Sequence, residues 1–144
     1  MLKLYNTFGR KKQIFKPIKE GEVGVYGCGL TVYNYGHIGN YRTLVGYDVL
    51  TRYLKYKGYK VKKVVNITDV DDKTIRNSIN EGKSLKEFTD KYIKAFFEDE
   101  KSLNIIKADK YPRATEHIKE IVKIIEKLLK KGIAYKSDDG IYFN

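Results

Sequence analysis

The sequence has few of the residues that build cross-linked or irregular scaffolds. Its 144 residues include one cysteine, two prolines and no tryptophan. A single cysteine excludes an intramolecular disulfide and fits a reducing compartment, so Cys28 is left for chemistry or for packing. No tract is dominated by proline, glycine or serine, which excludes a low-complexity chain. We therefore expect a globular protein with one main core.

Long apolar runs are also absent. Residues 1–6 alternate polar and apolar side chains and lead into the basic run 10–12, so they do not form the apolar core of a signal peptide. No other stretch stays apolar for long enough to cross a bilayer. The sequence therefore predicts a cytoplasmic protein with no membrane partner.

Acidic residues are in deficit. The 29 lysines and arginines exceed the 18 aspartates and glutamates and give a formal net charge of +11. Such an excess favours polyanionic partners, because binding a polyanion releases its counterions. Lysines that only keep helix faces solvated would produce the same excess, so charge alone leaves nucleic-acid binding open.

The first half of the chain has the pattern of a β-strand, an α-helix and a second β-strand. After two short extended stretches at 3–6 and 13–17, the apolar run 22–26 lies between glycines and indicates a buried strand. Apolar residues then recur at helical spacing over 41–53. The β-branched run 59–67 predicts a second strand parallel to the first.

Three helices and a hairpin are predicted beyond this unit. A short helix spans 71–82, and Ser84 with Glu87 forms the capping box of another. The periodic segment 112–132 predicts the longest helix. Residues 133–143 read as two short strands around an Asp-Gly turn.

The loop before the first of these helices contains His37-Ile38-Gly39-Asn40. Open α/β sheets bind ligands at such a junction, and a helix N-terminus favours phosphate. Gly39 lets a base or ribose approach the backbone, while His37 can donate a hydrogen bond to a developing negative charge. On these residues alone, the alternative stays open that His37 only ends the loop and Asn40 is an ordinary N-cap.

Three motifs, in this order and spacing, resemble those of the cysteine-tRNA ligases, which are class I aminoacyl-tRNA synthetases. They are Cys-Gly-Leu-Thr-Val-Tyr at 28–33, His-Ile-Gly-Asn-Tyr-Arg at 37–42 and Asn-Ile-Thr-Asp-Val-Asp-Asp-Lys at 66–73. The resemblance continues through Pro-Arg-Ala-Thr at 112–115 to the closing hairpin. It implies the first half of a Rossmann-like parallel sheet over residues 1–110. The start of an inserted acceptor-stem region would follow over residues 111–144.

The resemblance also implies site residues. His37, Gly39 and Asn40 match the ATP-binding signature, with His37 and Asn40 as the catalytic pair, although the family's usual fourth residue is histidine. An amide in its place can donate a hydrogen bond but cannot carry charge. Thr31 and Thr68 match residues that line the amino-acid substrate. Cys28 matches a zinc ligand, and zinc would select cysteine because it prefers sulfur over a hydroxyl.

Three aspartates in the third motif could suggest a magnesium cluster. Acidic residues at the start of a helix are, however, stabilised by the helix dipole. We therefore expect Asp69, Asp71 and Asp72 to act at a helix start and assign them no metal.

The sequence lacks groups that the full reaction needs. The remaining zinc ligands and the Lys-Met-Ser-Lys-Ser loop of the family do not occur in it, and the run 83–86 belongs to the capping box instead. We expect an N-terminal piece of a cysteine-tRNA ligase that is inactive alone and exposes an uncovered sheet edge. Self-association through that edge, or modest stability, should follow.

The expected partners are ATP with Mg²⁺, L-cysteine and tRNA(Cys), with Zn²⁺ in the complete enzyme. Two alternatives stay open: a ligase that joins cysteine to an amino sugar, and a non-catalytic module that binds nucleotide or RNA.

Overall fold

The computed structural model describes all residues from Met1 to Asn144. They form six strands, four α-helices and one 3₁₀ turn, in the order β1 Lys3–Asn6, β2 Lys11–Ile14, β3 Glu22–Gly27, α1 Ile38–Tyr56, β4 Lys60–Val65, α2 Asp72–Asn80, α3 Leu85–Ser102, the 3₁₀ turn Ala114–His117, α4 Ile118–Lys130, β5 Ala134–Lys136 and β6 Ile141–Phe143.

The β-strand, α-helix, β-strand unit is confirmed. β3 and β4 pair in parallel, from Glu22 opposite Lys60 to Gly27 opposite Val65, and α1 makes the connection between them. β1 and β2 form a separate antiparallel pair, and β2 begins and ends earlier than the predicted stretch 13–17.

A third extended segment, which the sequence did not predict, lies along β4. The N–H of Val65 donates to the carbonyl of Lys110 (3.1 Å), and the N–H of Ile67 donates to that of Pro112 (2.9 Å). The predicted helix over 112–132 is therefore wrong at its start, since α4 begins only at Ile118 and has 13 residues against 19 in α1. Proline has no N–H to donate, but its carbonyl can still accept at the edge of a sheet.

The main core lies where α1, α3 and the end of β4 meet. Its apolar side chains are buried in one cluster: Leu30, Val32, Leu44, Val65, Ile67, Phe88, Tyr92, Ile93, Phe96, Ile105 and Ala108. The predicted capping box of α3 is confirmed, because Ser84 accepts from the N–H of Glu87 and the Glu87 side chain accepts in return. A well-placed cap and a buried apolar face together fix this helix against the sheet.

β3 is buried on one side only, which corrects the prediction of a fully buried strand. Val23 and Gly27 are buried, whereas the side chain of Tyr26, on the opposite face, is 68% exposed. No second layer of these 144 residues packs on that face, so it stays open to solvent.

α4 and the hairpin of β5 and β6 form an arm. No residue of α4 is buried, although six of its apolar side chains lie along one face. The hairpin prediction is confirmed, with Ala134 opposite Phe143 and Lys136 opposite Ile141. None of the helices combines the length and apolar character that crossing a membrane requires.

Candidate functional site

A cavity of about 420 Å³ lies beyond the carboxyl ends of β3 and β4, beside the N-terminus of α1. Three predicted site residues, Thr31, His37 and Asn40, lie in its wall. The complete lining is Gly29, Leu30, Thr31, Tyr33, Asn34, Tyr35, Gly36, His37, Asn40 and Lys73. The other predicted residues, Gly39, Cys28 and Thr68, lie outside the lining. Gly39 is two residues after His37 in the chain, and Cys28 is exposed.

His37, rather than Asn40, is the N-cap of α1. Its backbone is extended (φ −101°, ψ 168°), and its Nδ1 accepts from the N–H of Gly39 at 3.1 Å. Asn40 is the third helical residue, and its Oδ1 accepts from the N–H of His37 at 3.0 Å. The two side chains therefore form a reciprocal capping box.

This cap determines what His37 can offer a ligand. A ring nitrogen that accepts a hydrogen bond carries no proton, so the proton of the neutral imidazole lies on Nε2. His37 can then donate from Nε2. The cap also uses the N–H of Gly39 internally, and the N–H groups of Asn40 and Tyr41 donate to the carbonyl of His37. Among the first helical residues, only the N–H of Ile38 is left without a partner within the chain.

The floor of the cavity continues the parallel sheet. Thr31 and Thr68 are opposite each other in a parallel bridge, the N–H of Val32 donates to the carbonyl of Thr68 (3.1 Å), and the N–H of Thr68 donates to that of Leu30 (3.0 Å). Thr68 therefore supports Thr31 from the neighbouring strand.

Gly29 allows the two strand ends to approach closely. A Cβ at this position would lie 1.8 Å from the backbone oxygen of Asn66, which is far inside van der Waals contact. The N–H of Gly29 also donates to Oδ1 of Asn66 (2.9 Å). Only glycine fits here without moving the third motif away from the first.

The cavity wall is rich in donors and contains no carboxylate. Lys73 is its only lysine or arginine, and its Nζ lies 4.7 Å from the centre of the Tyr33 ring. Lys73 forms no ion pair with an acidic residue of the chain. The wall therefore favours an anionic ligand. Sequence reasoning missed Lys73 as a site residue, although it closes the third motif.

The aspartates of that motif have different roles. Asp71 is the N-cap of α2 and accepts from the N–H of Thr74 (2.8 Å), and Asp72 lies in the first turn, so the predicted helix-start role is confirmed for both. For Asp69 that prediction is wrong. Its carboxylate is 2% exposed and accepts from both the N–H (2.9 Å) and the hydroxyl (2.6 Å) of Thr115, which leads into α4.

The residues do not form a metal site. No group of three histidine, cysteine, aspartate or glutamate side chains could hold an ion. Tight zinc binding needs about four ligands, so Cys28 does not fit zinc unless other ligands come from outside these residues.

A second cluster of charged groups is buried under the segment that follows α3. Lys63 is 2% exposed, and its Nζ donates to the carbonyl of Ile106 (2.9 Å). The hydroxyl of Tyr111 donates to Oε2 of Glu100 (2.7 Å), whose Oε1 has no partner. Burial lowers the pKa of Lys63 and raises the pKa of Glu100. These groups hold the segment beside β4 and do not reach the cavity wall.

A larger cavity, of about 640 Å³, lies at the amino ends of β3 and β4, where Phe15, Lys16, Glu22 and Lys60 contribute to its wall. None of the predicted site residues lies there. The smaller cavity is the better candidate, because it collects the motif residues at the end of the sheet where open α/β folds bind ligands.

Comparison with known proteins identifies the family to which the chain belongs. A profile of the tRNA synthetases class I (C) catalytic domain matches residues 14–144. In a crystal structure of a ternary complex of Agrobacterium radiobacter K84 agnB2 LeuRS, tRNA and LeuAMS, a region similar to this chain has a TM-score of 0.67 and 19% identity. It covers 85% of this chain and 16% of that one, and at this identity it shows the fold alone.

The chain belongs to the class I (C) tRNA synthetase catalytic domain family. It is 54% identical to the cysteine-tRNA ligase of Methanosarcina mazei and 51% identical to that of Thermococcus kodakarensis, each over 99% of this chain. It is 55% identical to the ligase of Brachyspira hyodysenteriae over 96% of this chain. These matches confirm the resemblance to cysteine-tRNA ligases. The chain spans about 30% of the length of these relatives.

Proposed function

We propose that this chain provides the ATP-binding part of a cysteine-tRNA ligase. The complete reaction would join L-cysteine to ATP as cysteinyl adenylate, release pyrophosphate and pass the cysteinyl group to tRNA(Cys). Residues 1–110 would be the first half of a Rossmann-like nucleotide-binding fold, and residues 111–144 the start of an inserted region. The observation that carries this proposal is the carboxylate-free cavity at the His37 cap, together with the names of the relatives.

In the activation step, a carboxylate oxygen of cysteine attacks the α-phosphorus of ATP. A new phosphorus–oxygen bond forms, and the bond to the leaving pyrophosphate breaks. Nε2–H of His37 would donate to the phosphate oxygens as their charge develops, and Asn40 would donate from its amide nitrogen. Thr31 would contact the substrate, with Thr68 supporting it from the paired strand and Gly39 leaving room for the nucleotide. Mg²⁺ would enter with the phosphates of ATP.

The experiment separates the role of His37 as the N-cap of α1 from its proposed role as a hydrogen-bond donor to the nucleotide. In His37→Asn, the N-cap acceptor is retained because asparagine caps as well as any residue, but the donor at Nε2 is lost. We expect calorimetry to show MgATP binding weakened by about tenfold or more, with an unchanged melting temperature. His37→Ala loses both, so we expect it to melt lower as well. If His37→Asn binds MgATP as tightly as the unmodified chain, His37 does not contact the nucleotide and the proposal fails.

Catalysis by these residues alone is not expected. The sequence contains no Lys-Met-Ser-Lys-Ser loop, so a principal stabiliser of the triphosphate is missing, and such losses commonly reduce rates by thousands-fold or more. Cysteine-dependent exchange of pyrophosphate into ATP should be undetectable with this chain.

Zinc would have Cys28 as its only ligand here, so it should be lost on dialysis. One tightly retained zinc ion per chain would contradict this.

The alternative of an amino-sugar ligase would share the ATP site, but the net charge of +11 favours tRNA as the acceptor. A cytoplasmic location and self-association through the uncovered sheet edge at β3, which pairs only with β4, belong to the same proposal. Concentration-dependent sedimentation would test the self-association.

A further inference from the structure

Helix α1, which begins at the His37 cap, is tied to α3 through Tyr41. The hydroxyl of Tyr41 donates to Oδ2 of Asp99, 58 residues later in the chain. Tyr41 is partly buried and packs against the main core. No lysine or arginine pairs with the Asp99 carboxylate, so its hydrogen bond within the chain is the one from Tyr41.

The ring of Tyr41 packs on the loop 33–36, which forms one wall of the nucleotide cavity. A Cβ at Gly36 would lie 2.6 Å from the hydroxyl oxygen of Tyr41 and 2.7 Å from two of its ring carbons, so the ring rests directly on the Gly36 backbone. Gly36 lines the cavity, whereas Tyr41 does not. The Tyr41 side chain therefore supports this wall from outside the cavity.

Helix α3 also contacts the same loop one residue earlier. Tyr35, in the cavity wall, meets Tyr92 of α3 edge to face, with ring centroids 5.3 Å apart. The Nζ of Lys91 lies 5.6 Å from the centre of the Tyr35 ring and 5.0 Å from that of Tyr92. α3 thus holds the loop at two neighbouring points, and only the contact through Tyr41 also fixes α1.

The Tyr41 hydroxyl is suited to a permanent contact. Burial, the hydrogen bond to Asp99 and the negative charges of Asp99 and Glu100 all raise the pKa of Tyr41. The hydroxyl therefore keeps its proton at neutral pH and remains a donor. A hydrogen bond to a charged acceptor is roughly twice as strong as a neutral one.

We propose that Tyr41 is a positioning residue of the nucleotide site: its hydrogen bond to Asp99 holds the loop 33–36 and the His37 cap against α3, in the arrangement that receives the phosphates of a nucleotide. The proposal rests on the proposed function, in which that nucleotide is ATP. Tyr41 acts through its neighbours, since its ring touches Gly36 and its N–H donates to the carbonyl of His37 (3.4 Å). Binding groups must be held to within about 0.5 Å, so loss of this support costs affinity although no ligand contact is removed.

The test removes the hydroxyl and keeps the ring. In Tyr41→Phe the packing on Gly36 is retained and the hydrogen bond to Asp99 is lost. The control is Tyr142→Phe in β6, which also removes a hydrogen bond from a tyrosine hydroxyl to an aspartate (Asp139, 2.9 Å), away from the cavity lining. By calorimetry, at a temperature where all variants are folded, we expect MgATP binding to weaken by about fivefold in Tyr41→Phe and to stay unchanged in Tyr142→Phe. An unchanged affinity in Tyr41→Phe, or equal losses in both variants, overturns the proposal.

Variants at the acceptor separate positioning from general destabilisation. Asp99→Asn keeps an acceptor oxygen, whereas Asp99→Ala has none. We expect Asp99→Ala to bind MgATP as weakly as Tyr41→Phe, and Asp99→Asn to recover most of the affinity. The double variant Y41F/D99A should bind no more weakly than either single variant, because both changes remove the same contact. Additive losses in the double variant would mean that the two residues act independently, which contradicts the proposal.

Amide exchange of the free chain tests the support role without nucleotide. The N–H groups of His37 and Gly39 are held inside the cap and report on it, while the N–H of Val32, in the cavity floor, reports on the body of the fold. In Tyr41→Phe the two cap amides should exchange about fivefold faster relative to Val32. Unchanged relative rates rule out the proposal whether or not MgATP binds. If the unmodified chain binds no MgATP while the cap amides respond as expected, the proposed function fails and the support of the loop by Tyr41 stands.

Discussion

The contact between Asp69 and Thr115 gives a direct test of how the arm is attached to the body. The Asp69 carboxylate is 2% exposed and accepts two hydrogen bonds from Thr115, at 2.9 and 2.6 Å. Around it, the N–H of Ala114 donates to the carbonyl of Ile67 (3.0 Å), and Arg113 pairs with Asp90 (2.8 Å). Since no residue of α4 is buried, these contacts dominate the placement of the arm.

The expected loss in the free energy of unfolding depends on which partner is left unpaired. Asp69→Ala removes the acceptor, but Thr115 is exposed and its donors can turn to water. Two hydrogen bonds to a charged group, each worth about 1.5–3 kcal/mol, then reduce to a net loss of about 2–4 kcal/mol. Thr115→Val removes only the hydroxyl and leaves one buried oxygen of Asp69 without its partner, so we expect a loss of about 1–3 kcal/mol. The double variant should lose less than the sum of the two, because the residues are in contact.

Urea unfolding measures the free energy of unfolding of the two single variants and the double variant. Hydrogen exchange of the arm measures how firmly it is attached. In Asp69→Ala, amides of residues 114–117 should exchange faster, while those in the middle of α3 should change only with global stability. A loss below about 0.5 kcal/mol, or exchange in the arm that stays the same, would show that the arm is held by other contacts and would refute this reasoning.

Two further predictions concern positions where the structure leaves little freedom. Gly29→Ala, whose Cβ would overlap the backbone oxygen of Asn66, should destabilise the chain by about 3 kcal/mol or more in urea unfolding, whereas Gly24→Ala, with open space around it, should cost about 1 kcal/mol or less. Tyr111→Phe removes the one hydrogen bond to the Glu100 carboxyl and also the acceptor of the buried Ala108 N–H, so it should cost about 3 kcal/mol or more when Glu100 is ionised. Burial raises the pKa of Glu100, so the folded state holds its proton more tightly than the unfolded state; stability is greatest below the unfolded pKa and is lost as pH rises through the folded pKa. Because this hydrogen bond opposes that rise, the deficit of Tyr111→Phe should be smaller below the folded pKa of Glu100 than above it, and a deficit independent of pH would contradict this.

The elements that the sequence predicted well have local signals. The capping box at Ser84, the helical period of α1 and the Asp-Gly turn of the hairpin each lie within a few residues. The third extended segment, 109–113, could not be predicted in this way. Its structure comes from pairing with β4, more than 40 residues earlier in the chain, and proline at 112 has the appearance of a helix start in sequence alone.

For the candidate site too, the local motifs were predicted and the contacts between distant residues were not. Its motifs identified Thr31, His37 and Asn40, which lie together in the cavity wall. Lys73 was overlooked because a lysine in the first turn of a helix usually faces solvent. The partner of Asp69 could not be found from sequence, since Thr115 is 46 residues away.

The capping box explains how one small loop can favour an anion. His37 and Asn40 each use an acceptor atom, Nδ1 and Oδ1, inside the cap, and each has a donor left, at Nε2 and at the amide nitrogen. The free N–H of Ile38 and the unpaired ammonium of Lys73 add two further donors around the same helix end. What the helix start needs for its own stability therefore also orients the groups that a phosphate requires.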